Sequence, residues 1–159
     1  MEEYIRRVNE LAYISAKKGN DPFAALLVKD NKIVATTLDT SVEQSDPTAH
    51  AELELIRSYC KENNVFSLEE YTLVSSTEPC IMCSGAIHWS RIGKVIFSVS
   101  QAALNKSNNG KIKPSCDSIV NVGKSKIEVI GPILEDEGLK VFIDFPLAPK
   151  ITRHQKIKK

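Results

Sequence analysis

No stretch of this sequence approaches the roughly 20 consecutive apolar residues that a membrane-crossing helix needs. The N-terminus, MEEYIRRVNELAYISAKKG, is charged and amphipathic where a secretory leader would be apolar. These two absences lead to the expectation of a cytoplasmic protein with no membrane partner. An excess of charge is missing too: 21 Lys and Arg stand against 20 Asp and Glu, a net charge of +1. A chain that gripped nucleic acid broadly would show a larger basic surplus. Nucleic acid is therefore the disfavoured partner, kept open by the basic C-terminal KITRHQKIKK, whose plainest reading is a solvated tail, flexible from about residue 150 to 159. Cysteine is sparse: Cys60, Cys80, Cys83 and Cys116 are too few, and in too reducing a compartment, for a disulfide framework. Closely spaced thiols then point to metal binding or catalysis. Repeats, low-complexity segments and linkers are also lacking, so residues 1–159, 42% of them hydrophobic, are read as a single domain.

What is present alternates between helical and strand periodicity. Ile5, Val8, Leu11, Ala12 and Ala16 recur at helical spacing, predicting a helix over residues 2–18 that ends at GNDP. FAALLVKDNKIVATTL reads as a hairpin at about 23–38, turning at KDNK. After SDPT, the positions of Ala51, Leu55, Ile56 and Tyr59 predict a second helix. YTLVSST and KVIFSVS read as strands on either side of PCIMCSGAIHWSR, a helix opened by Pro79. NKSNNGKIKP reads as a loop, KIEVIG as a short strand and DEGLKVFIDF as a closing helix. Strands alternating with helices predict an α/β sandwich with parallel pairs in the sheet.

The chemistry concentrates in two places. TEPCIMCSGAIHW puts Cys80 and Cys83 at i and i+3 in the first turn of a helix, on one face. That spacing alone suits a disulfide, a redox couple or half of a metal site. PTAHAELE supplies a second half, with His50 at another helix start and Glu52 two residues on. One imidazole and two thiolates make three N/S ligands for Zn²⁺, the number that leaves a fourth tetrahedral position to water. Helix N-termini favour the thiolate form such a site requires. Glu52 is placed to move a proton beside the open position without being a ligand, which a merely structural zinc site does not need. Singly, each residue has a bland reading. Jointly, H-x-E followed ~30 residues later by P-C-x-x-C is the signature of zinc deaminases.

On these residues the sequence resembles the cytidine deaminase superfamily, and within it the branch of guanine deaminases, fungal-type cytosine deaminases and tRNA adenosine deaminases. DPTAHAELELIR (46–57), TEPCIMCSGAIHWSRIGKVIF (77–97) and, more weakly, DPFAALLVKDNKIVA (21–35) carry the resemblance, which does not extend past about residue 100. It implies a three-layer α/β/α sandwich around a mixed, mostly parallel five-stranded sheet, and a homodimer. His50, Cys80 and Cys83 are expected to hold one Zn²⁺ per chain, with Glu52 shuttling protons. The backbone amides of Ala51 and Cys80 are expected to polarise the substrate ring, and Phe23 and Trp89 to line a base pocket. Glu78 is a candidate to touch substrate or to orient a ligand. The implied activity is hydrolytic removal of ammonia from a cyclic amidine. The expected substrate is a free nucleobase-like small molecule in the manner of guanine deaminase, with tRNA adenosine as the alternative. A non-catalytic zinc-binding relative is the rival of another class.

Three positions depart from the pattern. Seven residues before Asp46 the branch carries a base-binding asparagine where this sequence has Asp39, which when ionised only accepts hydrogen bonds. A substrate presenting more N–H groups than guanine, such as an aminopterin, aminotriazine or aminopyrimidine, is expected from that exchange. Ala24 stands where the branch has glycine. The C-terminal RHQKIKK lacks the aromatic residue with which guanine deaminases cover a neighbouring subunit's site.

Overall fold

The computed structural model describes residues 1–105 and 114–147; the expected flexible tail, and nearly all of the expected loop at 105–114, lie outside the described residues. Helix α1 (Glu2–Lys17) buries Ile5, Val8, Leu11, Ala12, Ser15 and Ala16 along one stripe. It stops where Gly19 takes a left-handed φ of 89°. The Gly19 amide donates to Ala16 O at 2.9 Å and the Asn20 amide to Ser15 O at 3.2 Å, the paired bonds of a glycine-terminated helix.

Strands β1 (Ala24–Lys29) and β2 (Lys32–Leu38) form the expected hairpin. Asp30 and Asn31 both have positive φ, 50° and 58°, as a two-residue turn matched to the strand twist requires. Helices α2 (Ser41–Gln44) and α3 (Ala51–Asn63) follow, then β3 (Thr72–Thr77), α4 (Ile81–Trp89), β4 (Lys94–Val99), α5 (Gln101–Asn105), α6 (Cys116–Val120), β5 (Glu128–Ile130) and α7 (Glu135–Asp144).

The sheet order is β2-β1-β3-β4-β5. β1 pairs antiparallel with both β2 and β3, while β3–β4 and β4–β5 are parallel. Four strands therefore run one way and β1 alone runs against them, the mixed sheet that was expected. Alternation along β1 divides the core. Ala25 and Leu27 pack with Leu55 and Ile56 of α3, Ile87 of α4 and Val120 of α6; Ala24, Leu26 and Val28 pack with Ile5, Val8 and Leu11 of α1. Helices cover both faces, which is why β1, β3 and β4 are buried along nearly their whole length, and why β1 and β4 read as nearly unbroken apolar runs. α7 lies close on β4: a Cβ on Gly138 would meet Ser98 Oγ at 2.5 Å.

Because β2 and β3 point the same way, the chain leaving β2 and the chain leaving β3 emerge at one end of the sheet. Those two exits carry His50 and Cys80.

Candidate metal and catalytic centre

His50 and Cys80 occupy equivalent positions, each the extended residue immediately before a helix, with φ and ψ of −73° and 149° for His50 and −70° and 172° for Cys80. The turn before His50 is built by Asp46, whose Oδ1 accepts from Thr48 N at 2.8 Å and Thr48 Oγ1 at 2.7 Å. The Thr40 amide donates to Ala49 O at 3.1 Å, tying the exit from β2 to the entry of α3. Pro79 stands outside α4 rather than in its first turn, and its carbonyl accepts from Ser84 Oγ at 3.1 Å. This anchors the turn that presents Cys80.

His50 Nδ1 lies 3.6 Å from Cys80 Sγ and 3.8 Å from Cys83 Sγ. The three donor atoms fall within 4.8 Å of one another, the grouping of metal-ligating residues found among the described residues. One imidazole and two sulfurs converging this closely fit Zn²⁺. Without metal the cluster shares out its protons: the Cys83 thiol donates to Cys80 and His50 lies alongside, holding Cys80 down at about 3. The same thiolate keeps the His50 imidazole protonated up to about 9. Donation to Cys80, reinforced by burial, pushes Cys83 far up. A metal that binds all three must displace the remaining protons.

Glu52, in the first turn of α3, is 5% exposed. Its Oε1 accepts from Ser75 Oγ on β3 at 3.0 Å. Burial raises its carboxyl, and the charge at Cys80 raises it further, as suits a group that must both take and give a proton near neutrality. Ser75 is a supporting residue that the sequence reading missed. Its signal is SST at the end of a strand that packs on both faces, where buried hydroxyls require partners.

Residues 1–99 match the family model for the cytidine and deoxycytidylate deaminase zinc-binding region. The chain belongs to that family. It is 35% identical to a probable cytosine deaminase of Schizosaccharomyces pombe over 141 residues, 86% of each chain. It is 33% identical to a tRNA-specific adenosine deaminase of Buchnera aphidicola over 135 residues, 84% of this chain and 85% of the relative. Its structure is similar to that of the guanine deaminase from Bacillus subtilis, with a TM-score of 0.64 and 30% identity, covering 94% of this chain and 96% of that one.

Within this deaminase-family site the other expected residues divide. Ala51 is fully buried at the start of α3, its carbonyl accepting from Thr37 Oγ1 at 2.6 Å. Phe23, half-buried just before β1, packs against Phe142 with ring centres 5.8 Å apart, and its carbonyl accepts from the Asp39 amide at 3.0 Å. Asp39 is 1% exposed. The structure does not bring Trp89 to the cluster. It is 80% exposed at the end of α4, nine residues and so about 13 Å along the axis from Cys80. Trp89 also stands two residues past the buried Ile87, on the other side of the helix. Glu78 has both oxygens engaged by backbone amides, Oε2 by Gln101 N at 3.0 Å and Oε1 by Cys116 N at 2.9 Å. The structure thus gives it the task of pinning the first residues of α5 and α6 to the turn before Cys80. Cys60 and Cys116 are free thiols, Cys116 fully buried.

Proposed function

We propose that this chain is a zinc-dependent hydrolytic deaminase that releases ammonia from a free nucleobase or a related aminated heterocycle. The observation that carries the reading is the placement of a buried carboxylate, Glu52, beside three converging metal donors rather than a fourth donor. Structural zinc sites close their coordination with four protein ligands, whereas catalytic ones keep three and leave a position open. Zinc held by His50, Cys80 and Cys83, one per chain, would lower the pKa of a bound water towards neutrality.

Around that position the chain's own groups supply the rest. Glu52, fixed at Oε1 by Ser75, would take one proton from the attacking water and deliver it to the substrate's ring nitrogen, then take the second from the hydroxyl added to the ring carbon and deliver it to the amine, which leaves as ammonia while the carbonyl forms. The helix starts at Ala51 and Cys80 direct backbone amides to the same place, where negative charge on the substrate is favoured. Phe23 and Asp39, joined by the bond from the Asp39 amide to the Phe23 carbonyl, are the residues assigned here to contact the ring. The similarity to a tRNA-specific adenosine deaminase over 84% of the chain supports a second reading, an adenosine in a tRNA anticodon stem. The near-zero net charge favours the free heterocycle. A homodimer fits the exposed Ile81 and Trp89 on α4, 54% and 80% exposed, and sedimentation velocity reads it directly.

The test is ammonia release by zinc-loaded protein from guanine, adenine, cytosine, aminopterins, aminotriazines, their nucleosides and a tRNA anticodon stem, with Glu52→Ala as the blank. Turnover of a free heterocycle that disappears in the blank is the expected result. Release from the stem alone would transfer the assignment to the second reading. Zinc bound with no release from any member would favour a non-catalytic relative.

A further inference from the structure

Asp39 is the first residue after β2, and at 1% exposure it is among the most buried charged side chains of the protein. Its backbone is fully engaged: the amide donates to Phe23 O at 3.0 Å, and the carbonyl accepts from Ser15 Oγ at 3.3 Å. One carboxylate oxygen is engaged as well. Oδ1 accepts from Ser41 N at 3.0 Å and from Ser41 Oγ at 2.6 Å, a local turn that any aspartate in this place can form. The other oxygen is not accounted for. Oδ2 is buried and has no hydrogen-bond partner.

Burying a carboxylate oxygen without a donor is costly, and native structures rarely leave one so. The turn explains Oδ1 and says nothing of Oδ2, because an asparagine or serine could make the same turn without burying a second acceptor. The position of Oδ2 matters. Asp39 interacts electrostatically with His50, and the next residue, Thr40, is bonded to Ala49, the neighbour of His50. Asp39 is therefore within electrostatic reach of His50, at the end of the sheet where the metal donors converge.

We propose that Asp39 Oδ2 is a specificity determinant that accepts a hydrogen bond from an N–H group of the bound heterocycle. The site then takes rings that present an amino or ring N–H group at this edge and rejects rings that present a carbonyl oxygen there. This rests on the reading of the site as a deaminase of free heterocycles. A donor supplied by the ligand completes the bonding of Oδ2. A carbonyl oxygen in the same place would set acceptor against acceptor in a desolvated pocket, which is how a site built for one partner discriminates most strongly against its isostere.

The test uses matched pairs that exchange one amino group for one carbonyl: 2,6-diaminopurine against isoguanine, and 2,4-diaminopyrimidine against cytosine. For zinc-loaded protein, kcat/KM is expected to favour the diamino member by about 10- to 100-fold, the range of a charge-assisted hydrogen bond. In Asp39→Asn, whose amide can donate as well as accept, the preference should shrink to within about threefold, with zinc content and melting temperature retained. A preference for the carbonyl member, or an unchanged preference in Asp39→Asn, overturns the proposal.

Calorimetric binding of the same four compounds to zinc-loaded Glu52→Ala separates this from failure of the deaminase reading, and serves also if Asp39→Asn does not fold. Tighter binding of the diamino members by at least about tenfold keeps the proposal even where no ammonia is released. Equal binding, or no binding of any of the four, ends it.

Discussion

The two ends of α4 make an instructive contrast. At its C-terminal end lies an open cleft of about 620 Å³, lined by His88, Arg91, Lys124, Ser125 and Lys126 among others. Its size and its mixture of basic and hydroxyl groups suggest a ligand site, yet its histidine and its arginine are bonded locally. His88 Nδ1 lies 2.9 Å from Val120 O and 3.3 Å from Ser125 Oγ, and since a carbonyl only accepts, the Nδ1 proton is already committed to it. Arg91 pairs with Glu69 at 3.3 Å. At the N-terminal end the opposite holds. Three metal donors converge there, a carboxylate is buried beside them, and a second buried carboxylate keeps one oxygen unpartnered. Groups with bonding capacity still to fill mark the functional end better than cavity size does.

The sharpest way to break this contrast is to remove a donor at the N-terminal end. Cys83→Ala should leave less than ~10% of the wild-type zinc after gel filtration, and ammonia release at the level of the blank, because two protein ligands do not hold the metal against dilution. Metal analysis by mass spectrometry reads the first, and full zinc retention would show that the cluster is not the site. Glu52→Gln comes next. It should keep its zinc and lose about 10²- to 10⁴-fold in kcat, the usual worth of a positioned proton-transfer group. An equal loss of zinc would make Glu52 a ligand instead.

The proton inventory of the metal-free cluster sharpens the comparison further. Cys80 is already a thiolate, held at about 3, while His50 stays protonated to about 9 and Cys83 keeps its proton throughout. Zinc entry must therefore expel about two protons, from His50 and Cys83, and affinity should rise by about 100-fold per pH unit between pH 5 and 8. Independent groups with ordinary values would release about three protons at the acid end of that window, because both thiols and the imidazole would then be protonated. Calorimetry at pH 5.5 in buffers of different ionisation enthalpy counts them. Three protons would show that Cys83 and His50 do not hold Cys80 as a thiolate.

How much of this was legible in the sequence follows from how local each feature is. The KDNK hairpin, the Gly19 helix end and the two helix starts near His50 and Cys80 depend on neighbouring residues, and they appear as read except that α4 opens at Ile81 rather than at Pro79. Parallel pairs follow from the alternation of elements, and the mixed five-stranded sheet from the family resemblance, whereas the opposition of β1 to the other four strands appears only in the assembled sheet. α2, α5 and α6, of four or five residues each, are too short for a periodic signal. The role of Glu78 was hidden, whereas Asp39 was already singled out as an acceptor-only departure to which the structure adds an unpartnered oxygen. Glu78 bonds backbone amides 23 and 38 residues away, and an amide carries no trace of its partner in the identity of its residue. At Asp39 the informative fact is an absence of bonding, which only the assembled site displays. Trp89 could have been placed better, since two residues past the buried Ile87 turns it about 200° away on a helix.

Glu78 and His88 supply smaller effects, one from each end. Glu78→Gln keeps an acceptor oxygen for one backbone amide and sets an NH₂ donor against the other. It should cost about 1–3 kcal/mol of stability and about tenfold in kcat/KM, with zinc content unchanged, since the turn before Cys80 loses part of its anchor. His88→Ala removes the donor to Val120 O, and a net loss of about 1 kcal/mol lowers the melting temperature by about 2–4 °C for a chain of this size. Turnover should stay within about twofold of wild type, because nothing ties the cleft to the reacting groups. Differential scanning fluorimetry and the ammonia assay, run on the same preparation, separate the two readouts. A collapse of kcat without a fall in melting temperature would transfer His88 to the functional side and remove the distinction between the ends of α4. A small thermal shift with intact turnover would place the whole of this protein's chemistry at the end where His50, Cys80 and Cys83 meet.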